Sequence, residues 1–150
     1  MINRRMIATL VLSAAGLVGI LSHEAYRERA YNDGVGVTTV GFGTTTDVKP
    51  GDRITVEEAL IKALGDAHKT GEAIQKCVKV PLSQNEFDAY VSLAYNIGPT
   101  AYCNSTLVKK LNRRDYAGAC KEISRWNKAG GMVLRGLIKR RADERRLCES

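Results

Sequence analysis

The residues with the clearest chemical potential in this sequence are two carboxyl side chains and one hydroxyl near the N-terminus. Glu24 precedes Asp33 by nine positions, and Thr39 follows six positions later in a β-branched run that ends in glycines. Glycosidic bond cleavage needs two carboxyl groups flanking a shared space, because one donates a proton to the leaving oxygen while the other stays ionised. The spacing predicts that a helix end, a turn and a strand direct Glu24, Asp33 and Thr39 into one cleft.

Local patterns indicate the elements that would position these three residues. Glu24 lies near the start of a helical pattern, Asn-Asp-Gly at 32–34 is a hairpin-turn signal, and residues 37–42 are typical of a strand. We therefore expect a small β-lobe over about 31–54. Taken alone, Asp33 is an ordinary turn residue and Thr39 an ordinary strand residue, so their spacing to Glu24 is what favours a catalytic role.

Two capping boxes predict where the main helices begin. Thr55 is followed three residues later by Glu58, and Ser83 by Glu86, and such pairs cap helix N-termini. The first predicts a helix over about 55–78 that links two lobes. The second predicts a helix ended by Gly98, because glycine commonly terminates helices.

The C-terminal half is predicted to form a helical lobe over about 82–148. Short helices are expected near 105–112 and 115–126, followed by a Gly-Gly break and a last helix over roughly 133–148. In that last helix we expect the Arg and Lys side chains to face solvent. The residues expected to face the core are Leu137, Ile138 and Leu147.

The order Glu, eight residues, Asp, five residues, Thr and then Gly-x-Gly resembles the catalytic signature of the phage-type lysozymes, glycoside hydrolase family 24. The likeness covers roughly residues 22–148. Two departures are Ala25, where the family usually has glycine, and Thr44, where it commonly has a structural histidine. The other matching segments are Tyr-Asn-Ile-Gly at 95–98, Ser-Thr-Leu at 105–107, Arg-Trp-Asn-Lys-Ala-Gly-Gly at 125–131 and Gly-Leu-x-x-Arg-Arg at 136–141.

The resemblance implies an α+β, mainly helical fold with two lobes, a small antiparallel sheet in the N-terminal lobe and a helical C-terminal lobe. It also implies hydrolysis, with inversion, of the β-1,4 bond between N-acetylmuramic acid and N-acetylglucosamine in peptidoglycan, for phage-induced host lysis. Glu24 would be the general acid, kept protonated by helical, partly apolar surroundings. Asp33 would be the ionised carboxylate and Thr39 would orient water. No metal or organic cofactor is expected.

The first residues of the chain resemble an export signal. Residues 1–5 are basic, and residues 6–21 carry no charge. As a helix, 6–21 would span about 24 Å, short of the roughly 30 Å hydrocarbon core, so it would hold a membrane weakly. Arg4 and Arg5 favour a cytoplasmic N-terminus, although Arg27 and Arg29 partly offset that bias.

Three interpretations of residues 6–21 are open: a cleaved signal peptide, a permanent anchor, and the signal-arrest-release segment of some endolysins. We favour the third, which divides the chain into a segment over 1–21 and a lysozyme domain over 22–150. The enzyme would then be inserted in the host inner membrane first and be periplasmic after release. Because only Ser22 and His23 separate the segment from Glu24, tethering would hold Glu24 at the headgroups and keep the enzyme inactive. His23 itself is expected to be interfacial or solvated.

Four cysteines indicate two disulfides in an exported protein, and none has the spacing of a zinc site or a redox motif. Three pairings are possible, and free thiols are the alternative. We favour Cys103–Cys120, which closes a short loop between neighbouring helices, together with Cys77–Cys148. No cysteine lies in 6–21, so release would not depend on disulfide exchange.

The net charge of +7 is concentrated in the C-terminal third, where residues 107–150 contain thirteen Lys or Arg against five Asp or Glu. Such an excess favours a polyanionic partner, either an acidic wall polymer or an anionic membrane, or it is a solvated helix face. No zinc-finger or helix-turn-helix signal supports nucleic acid. A monomer is expected.

Two other functions fit parts of the sequence. A signal-anchored, non-catalytic wall-binding protein would use the basic last helix and would cleave nothing. A lytic transglycosylase would need the glutamate but no residues that position water. The presence of both Asp33 and Thr39 favours hydrolysis over the second alternative.

Overall fold

The computed structural model describes residues 1–150 and confirms an α+β, mainly helical fold with two small antiparallel sheets. The helices are Ala14–His23 (α1), Val56–Cys77 (α2), Gln84–Ile97 (α3), Pro99–Cys103 (α4), Thr106–Asn112 (α5), Tyr116–Glu122 (α6) and Arg135–Glu149 (α7). The strands are Arg27–Asn32 (β1), Thr38–Gly41 (β2), Lys128–Ala129 (β3) and Met132–Val133 (β4). Single 3₁₀ turns lie at Ile7–Thr9 and Ile123–Arg125.

Two separate hydrophobic cores give the molecule its two lobes. The smaller core is formed by Val40, Ile54 and Ala59, under the β1–β2 hairpin. The larger core lies between α3 and the other C-terminal helices. Helix α2 contributes Ala59 to the smaller core and Ile74 to the larger one.

Both predicted capping boxes are present. The Thr55 hydroxyl accepts a hydrogen bond from the amide of Glu58, whose carboxylate accepts one from the amide of Thr55, and Ser83 and Glu86 do the same for α3. Helix α3 ends at Gly98, whose φ of 90° lies in the region that glycine adopts most readily. These boundaries depend on neighbouring residues alone, which is why the sequence predicts them well.

The β-lobe begins earlier than predicted, and the helical pattern assigned to the residues after Glu24 is wrong. Strand β1 starts at Arg27 and pairs antiparallel with β2, with Arg27 opposite Gly41 and Asn32 opposite Thr38. On its other side the backbone of residues 28–30 exchanges hydrogen bonds with residues 52–54. Because these backbone groups are bonded on both sides, tertiary pairing overrides the local helical pattern.

Helix α7 buries charged side chains that were predicted to face solvent. Arg140, Arg141 and Glu144 are almost fully buried, whereas Ile138 is 47% exposed. Buried charges are tolerated where they pair, and both guanidinium groups contact the Glu144 carboxylate. The predicted outward orientation of the last helix's arginines is therefore wrong at these two positions.

The chain forms two disulfides, but both predicted pairings are wrong. The bonds are Cys77–Cys103 and Cys120–Cys148, and no cysteine is free. Cys77 ends α2 beside α4, while α6 turns Cys120 toward α7 rather than toward Cys103. The sequence separations are 26 and 28 residues, against 17 and 71 for the predicted pairing, so helix packing and not the shortest loop decides which cysteines pair.

The N-terminal segment packs on the helical lobe. Ile7, Leu10 and Ile20 are buried in the larger core, and α1 lies against α3. The two helices lie close together at Gly16, where an added Cβ would come within 2.7 Å of Asp88 Cγ. No helix of the structure combines the length and apolar character needed to cross a bilayer.

Candidate active site

Glu24 lies at the C-terminal end of α1. Its backbone is extended, with φ −104° and ψ 124°, and its amide donates to the carbonyl of Leu21. The side chain is 20% exposed, and its Oε1 accepts a hydrogen bond of 2.6 Å from Nη1 of Arg140. Helix α1 and helix α7, from opposite ends of the sequence, thus meet at this carboxyl group.

A buried network fixes the orientation of Arg140. Its Nε donates to Oε1 of Glu144 at 3.1 Å, and its Nη2 donates to the carbonyl of Ser92 at 3.3 Å. Glu144 in turn accepts from the Ser92 hydroxyl at 2.7 Å and from Arg141 Nη2 at 3.0 Å. The partly apolar surroundings expected for Glu24 are wrong, because its nearest partner is a guanidinium held in a chain of ion pairs.

The second carboxylate oxygen of Glu24 faces the loop after β2. A Cβ added to Gly43 would lie 3.4 Å from Glu24 Oε2, and the Gly43 φ is +89°. Glycine suits this position for two reasons: it adopts the positive φ readily, and it has no side chain to crowd the Glu24 carboxylate. With Oε1 bound to Arg140, Oε2 is the oxygen available to a substrate.

Asp33 lies in the turn between β1 and β2 and is exposed. Its Oδ1 accepts hydrogen bonds of 3.0 Å from the amides of Val35 and Val37. The neighbouring Asn32 accepts from Gly34 and Gly36 in the same way. Both side chains thus close the predicted Asn-Asp-Gly turn, and Oδ2 of Asp33 stays free of these contacts.

Thr39 lies opposite Tyr31 in the hairpin and is 4% exposed. Its hydroxyl donates to the carbonyl of Val37 at 3.3 Å, and the amide of Val37 donates to Asp33. The structure therefore joins Asp33 and Thr39 at the turn end of the hairpin. Glu24 lies at the open end, beside Gly43.

The sequence did not predict the contacts that three residues near Glu24 make, namely Arg140, Thr44 and His23. Arg140 could have been found only from the Gly-Leu-x-x-Arg-Arg segment, which does not say which arginine points inward. Thr44, which replaces the usual histidine, is buried and donates to Asp66 Oδ2 at 3.0 Å. His23 is only 16% exposed and lies 3.5 Å from Asp143, so the solvated alternative of the prediction is wrong.

Comparison with known proteins gives consistent matches over nearly the whole chain. The family described as phage lysozyme matches residues 21–144. An endolysin of Acyrthosiphon pisum secondary endosymbiont phage 1 is 43% identical over 143 residues, covering 93% of this chain and 98% of the relative. A SAR-endolysin of Bacteriophage PS119 is 35% identical, covering 95% and 84%. The solved muramidase domain of SpmX from Asticaccaulis excentricus has a TM-score of 0.87 at 33% identity, covering 94% and 99%.

Proposed function

The chain belongs to the phage lysozyme family and is therefore a glycoside hydrolase, and we propose that it is an endolysin that cleaves peptidoglycan during host lysis. The bond cleaved is the β-1,4 linkage between N-acetylmuramic acid and N-acetylglucosamine. The observation that carries the catalytic assignment is the asymmetry at Glu24. One oxygen is held by the buried Arg140, while the other lies beside Gly43 and accepts no hydrogen bond from the protein.

Glu24 is the general acid of this proposal. A proton on Oε2 passes to the glycosidic oxygen as the bond to the anomeric carbon breaks, and positive charge develops on the sugar ring. Asp33 stabilises that charge or accepts a proton from the attacking water. The Thr39 hydroxyl already donates to Val37, so its oxygen lone pairs are free to accept a hydrogen bond from that water.

The positions of the carboxyl groups favour inversion. Retaining enzymes need two carboxyl groups about 5 Å apart, whereas inverting enzymes leave room for water with roughly 6.5–9.5 Å between them. Glu24 and Asp33 lie at opposite ends of the β1–β2 hairpin, with β1 between them. That arrangement disfavours the separation of about 5 Å that a retaining enzyme needs.

The test is digestion of purified peptidoglycan by the wild-type enzyme, Glu24→Gln, Asp33→Asn and the control Glu57→Gln. Glu57 is an exposed carboxyl in the first turn of α2, so its loss should leave activity unchanged. We expect reducing muramic ends by mass spectrometry, absent with Glu24→Gln and strongly diminished with Asp33→Asn. Anhydro-muramic ends would indicate a transglycosylase, and binding without cleavage would indicate a wall-binding protein.

We also propose that residues 6–21 first insert in the host inner membrane and later leave it, so that a monomeric enzyme reaches the periplasm. The uncharged segment and the similarity to a SAR-endolysin support this route. Helix α1 ends directly on Glu24, so the location of the segment determines where Glu24 lies. A tethered enzyme would then lack a correctly positioned general acid.

Polar contacts support docking of the released segment. Arg4 forms an ion pair with Glu86 through Nη2 at 2.7 Å and Nε at 3.0–3.1 Å, and Glu86 is 2% exposed. Ser13 donates to the Asp88 carboxylate through both its amide and its hydroxyl. Gln75 donates to two carbonyl groups of the segment. These bonds give the segment a defined docked position that apolar contact alone would not specify.

The corresponding experiment compares wall cleavage by the released enzyme with cleavage by a membrane-tethered variant. A fusion that replaces residues 6–21 by a long, fully apolar helix would keep the enzyme tethered. We expect the released form to cleave and the tethered form to be inactive on wall that it can reach. Equal rates would exclude the proposed control by tethering and would leave the catalytic assignment standing.

A further inference from the structure

The loop Phe42–Gly43–Thr44, which faces Glu24, is tied to the helical part of the molecule by two hydrogen bonds. The Tyr95 hydroxyl, on α3, donates to the carbonyl of Phe42 at 2.9 Å. The Thr44 hydroxyl donates to Asp66, on α2, at 3.0 Å. The two bonds hold the residues on either side of Gly43.

The Tyr95 hydroxyl has no other partner in the structure and is suited to act as a permanent donor. The side chain is partly buried between the two lobes, and burial raises the pKa of Tyr95. The Glu24 carboxylate raises that pKa further. The phenol therefore remains protonated throughout the neutral range and always presents its hydrogen to Phe42.

The hydrogen bond from Tyr95 to Phe42 matters because the next residue is Gly43. With φ +89° and no side chain, Gly43 can change conformation more easily than any other residue in the loop. Its close approach to Glu24 Oε2 means that a small shift of the Phe42–Gly43 peptide changes the space in which the glycosidic oxygen must lie. A hydrogen bond at the carbonyl of Phe42 removes that freedom.

We propose that Tyr95 is a positioning residue for the reaction: its hydroxyl fixes the Phe42–Gly43 peptide at the distance from Glu24 Oε2 that proton donation to the substrate requires. This inference rests on the proposed function of Glu24 as general acid. Tyr95 acts through the loop and does not itself contact the reacting atoms. Misplacement by about 1 Å can cost a hundredfold in rate, so one hydroxyl is sufficient for a large effect.

The variant Tyr95→Phe removes the hydroxyl and keeps the ring. The matched control is Tyr116→Phe, because the Tyr116 hydroxyl also donates to a backbone carbonyl at 2.9 Å, that of Pro81, within the helical lobe. Both changes remove one bond of the same type and should lower the Tm to a similar extent. Only Tyr95→Phe removes a bond that holds the loop beside Glu24.

The assay is steady-state cleavage of soluble peptidoglycan fragments, with reducing ends counted, over a range of pH. For Tyr95→Phe we expect kcat to fall ten- to a hundredfold, KM to stay within threefold, and the alkaline limb of the kcat profile to shift. Tyr116→Phe should retain the wild-type kcat and pH profile. Equal kcat values in both variants, or equal losses that follow the Tm, would overturn the positioning role. If the wild-type enzyme released no reducing ends, the function of Glu24 would fail instead.

Discussion

Gly16 and Gly19 offer a direct test of whether α1 docks on α3 in the released enzyme. Both lie inside α1, so alanine at either position should favour the helix equally. Their surroundings differ. A Cβ at Gly16 would lie 2.7 Å from Asp88 Cγ and 2.8 Å from Leu12 Cδ1, whereas a Cβ at Gly19 would meet nothing within 4 Å.

The expected changes in the free energy of unfolding have opposite signs for Gly16→Ala and Gly19→Ala. Replacing glycine by alanine in a helix interior gains roughly 1 kcal/mol, which is all that Gly19→Ala should show. At Gly16 the gain is opposed by an overpacking cost of about 1–3 kcal/mol. Displacing Asp88 also weakens its bonds to Ser13, and a hydrogen bond to a charged group contributes roughly 1.5–3 kcal/mol. Gly16→Ala should therefore destabilise the enzyme by about 1–3 kcal/mol.

Thermal unfolding of the released, detergent-free protein provides the measurement. For a chain of this length 1 kcal/mol corresponds to roughly 2–4 °C in Tm. We expect Gly19→Ala to raise the Tm by a few degrees and Gly16→Ala to lower it by several, with a parallel loss of wall cleavage. If both variants raised the Tm equally, α1 would not be packed against Asp88 and the docked segment would be refuted.

Two further predictions concern pH and covalent stability. Burial, aided by Arg140, lowers the pKa of His23 despite the contact with Asp143, so the folded pKa lies below the unfolded value of about 6.5. Between the two pKa values the unfolded chain then binds more protons than the folded chain. The free energy of unfolding should therefore fall as the pH drops below about 6.5 in the wild type, and it should fall less in His23→Gln. Urea titration at each pH measures the difference. Removing the Cys120–Cys148 bond with a double alanine variant should cost about 2–4 kcal/mol, and an unreduced digest that linked Cys148 to another cysteine would contradict the pairing.

The parts of the fold that the sequence predicts well are those decided by neighbouring residues. The boxes at Thr55 and Ser83 satisfy backbone groups within one helical turn, and Asp33 closes its turn with amides two and four residues away. The family resemblance is what gives the spacing of Glu24, Asp33 and Thr39 a catalytic meaning. The structure adds that the hairpin separates Glu24 from Asp33 and Thr39. Their catalytic roles remain a prediction.

The parts that the sequence missed depend on contacts between distant segments. Nothing in the local sequence distinguishes Arg140 from the exposed arginines of α7. Its burial is favourable only because the carboxylates of Glu24 and Glu144 pair with its guanidinium group. The predicted cysteine pairing is wrong for the same reason, because it favoured the short loop from Cys103 to Cys120, whereas the packing of distant helices brings Cys120 to Cys148. A pattern along one helix shows which side chains are apolar but not which charges have partners.

The position of Glu24 depends on both ends of the chain. From the N-terminal side it is held by α1, which is docked through Ser13 and Asp88, and from the C-terminal side by Arg140. Undocking α1 would draw Glu24 away and leave Arg140 with Glu144 as its only carboxylate, which in turn also pairs with Arg141. Two buried guanidinium groups sharing one carboxylate are less well compensated than in the docked state. The hydrogen bond from Arg140 to Glu24 Oε1 therefore favours the docked state while leaving Oε2 for the proton, so the arrangement that positions the general acid also favours retention of the released segment on the body of the enzyme.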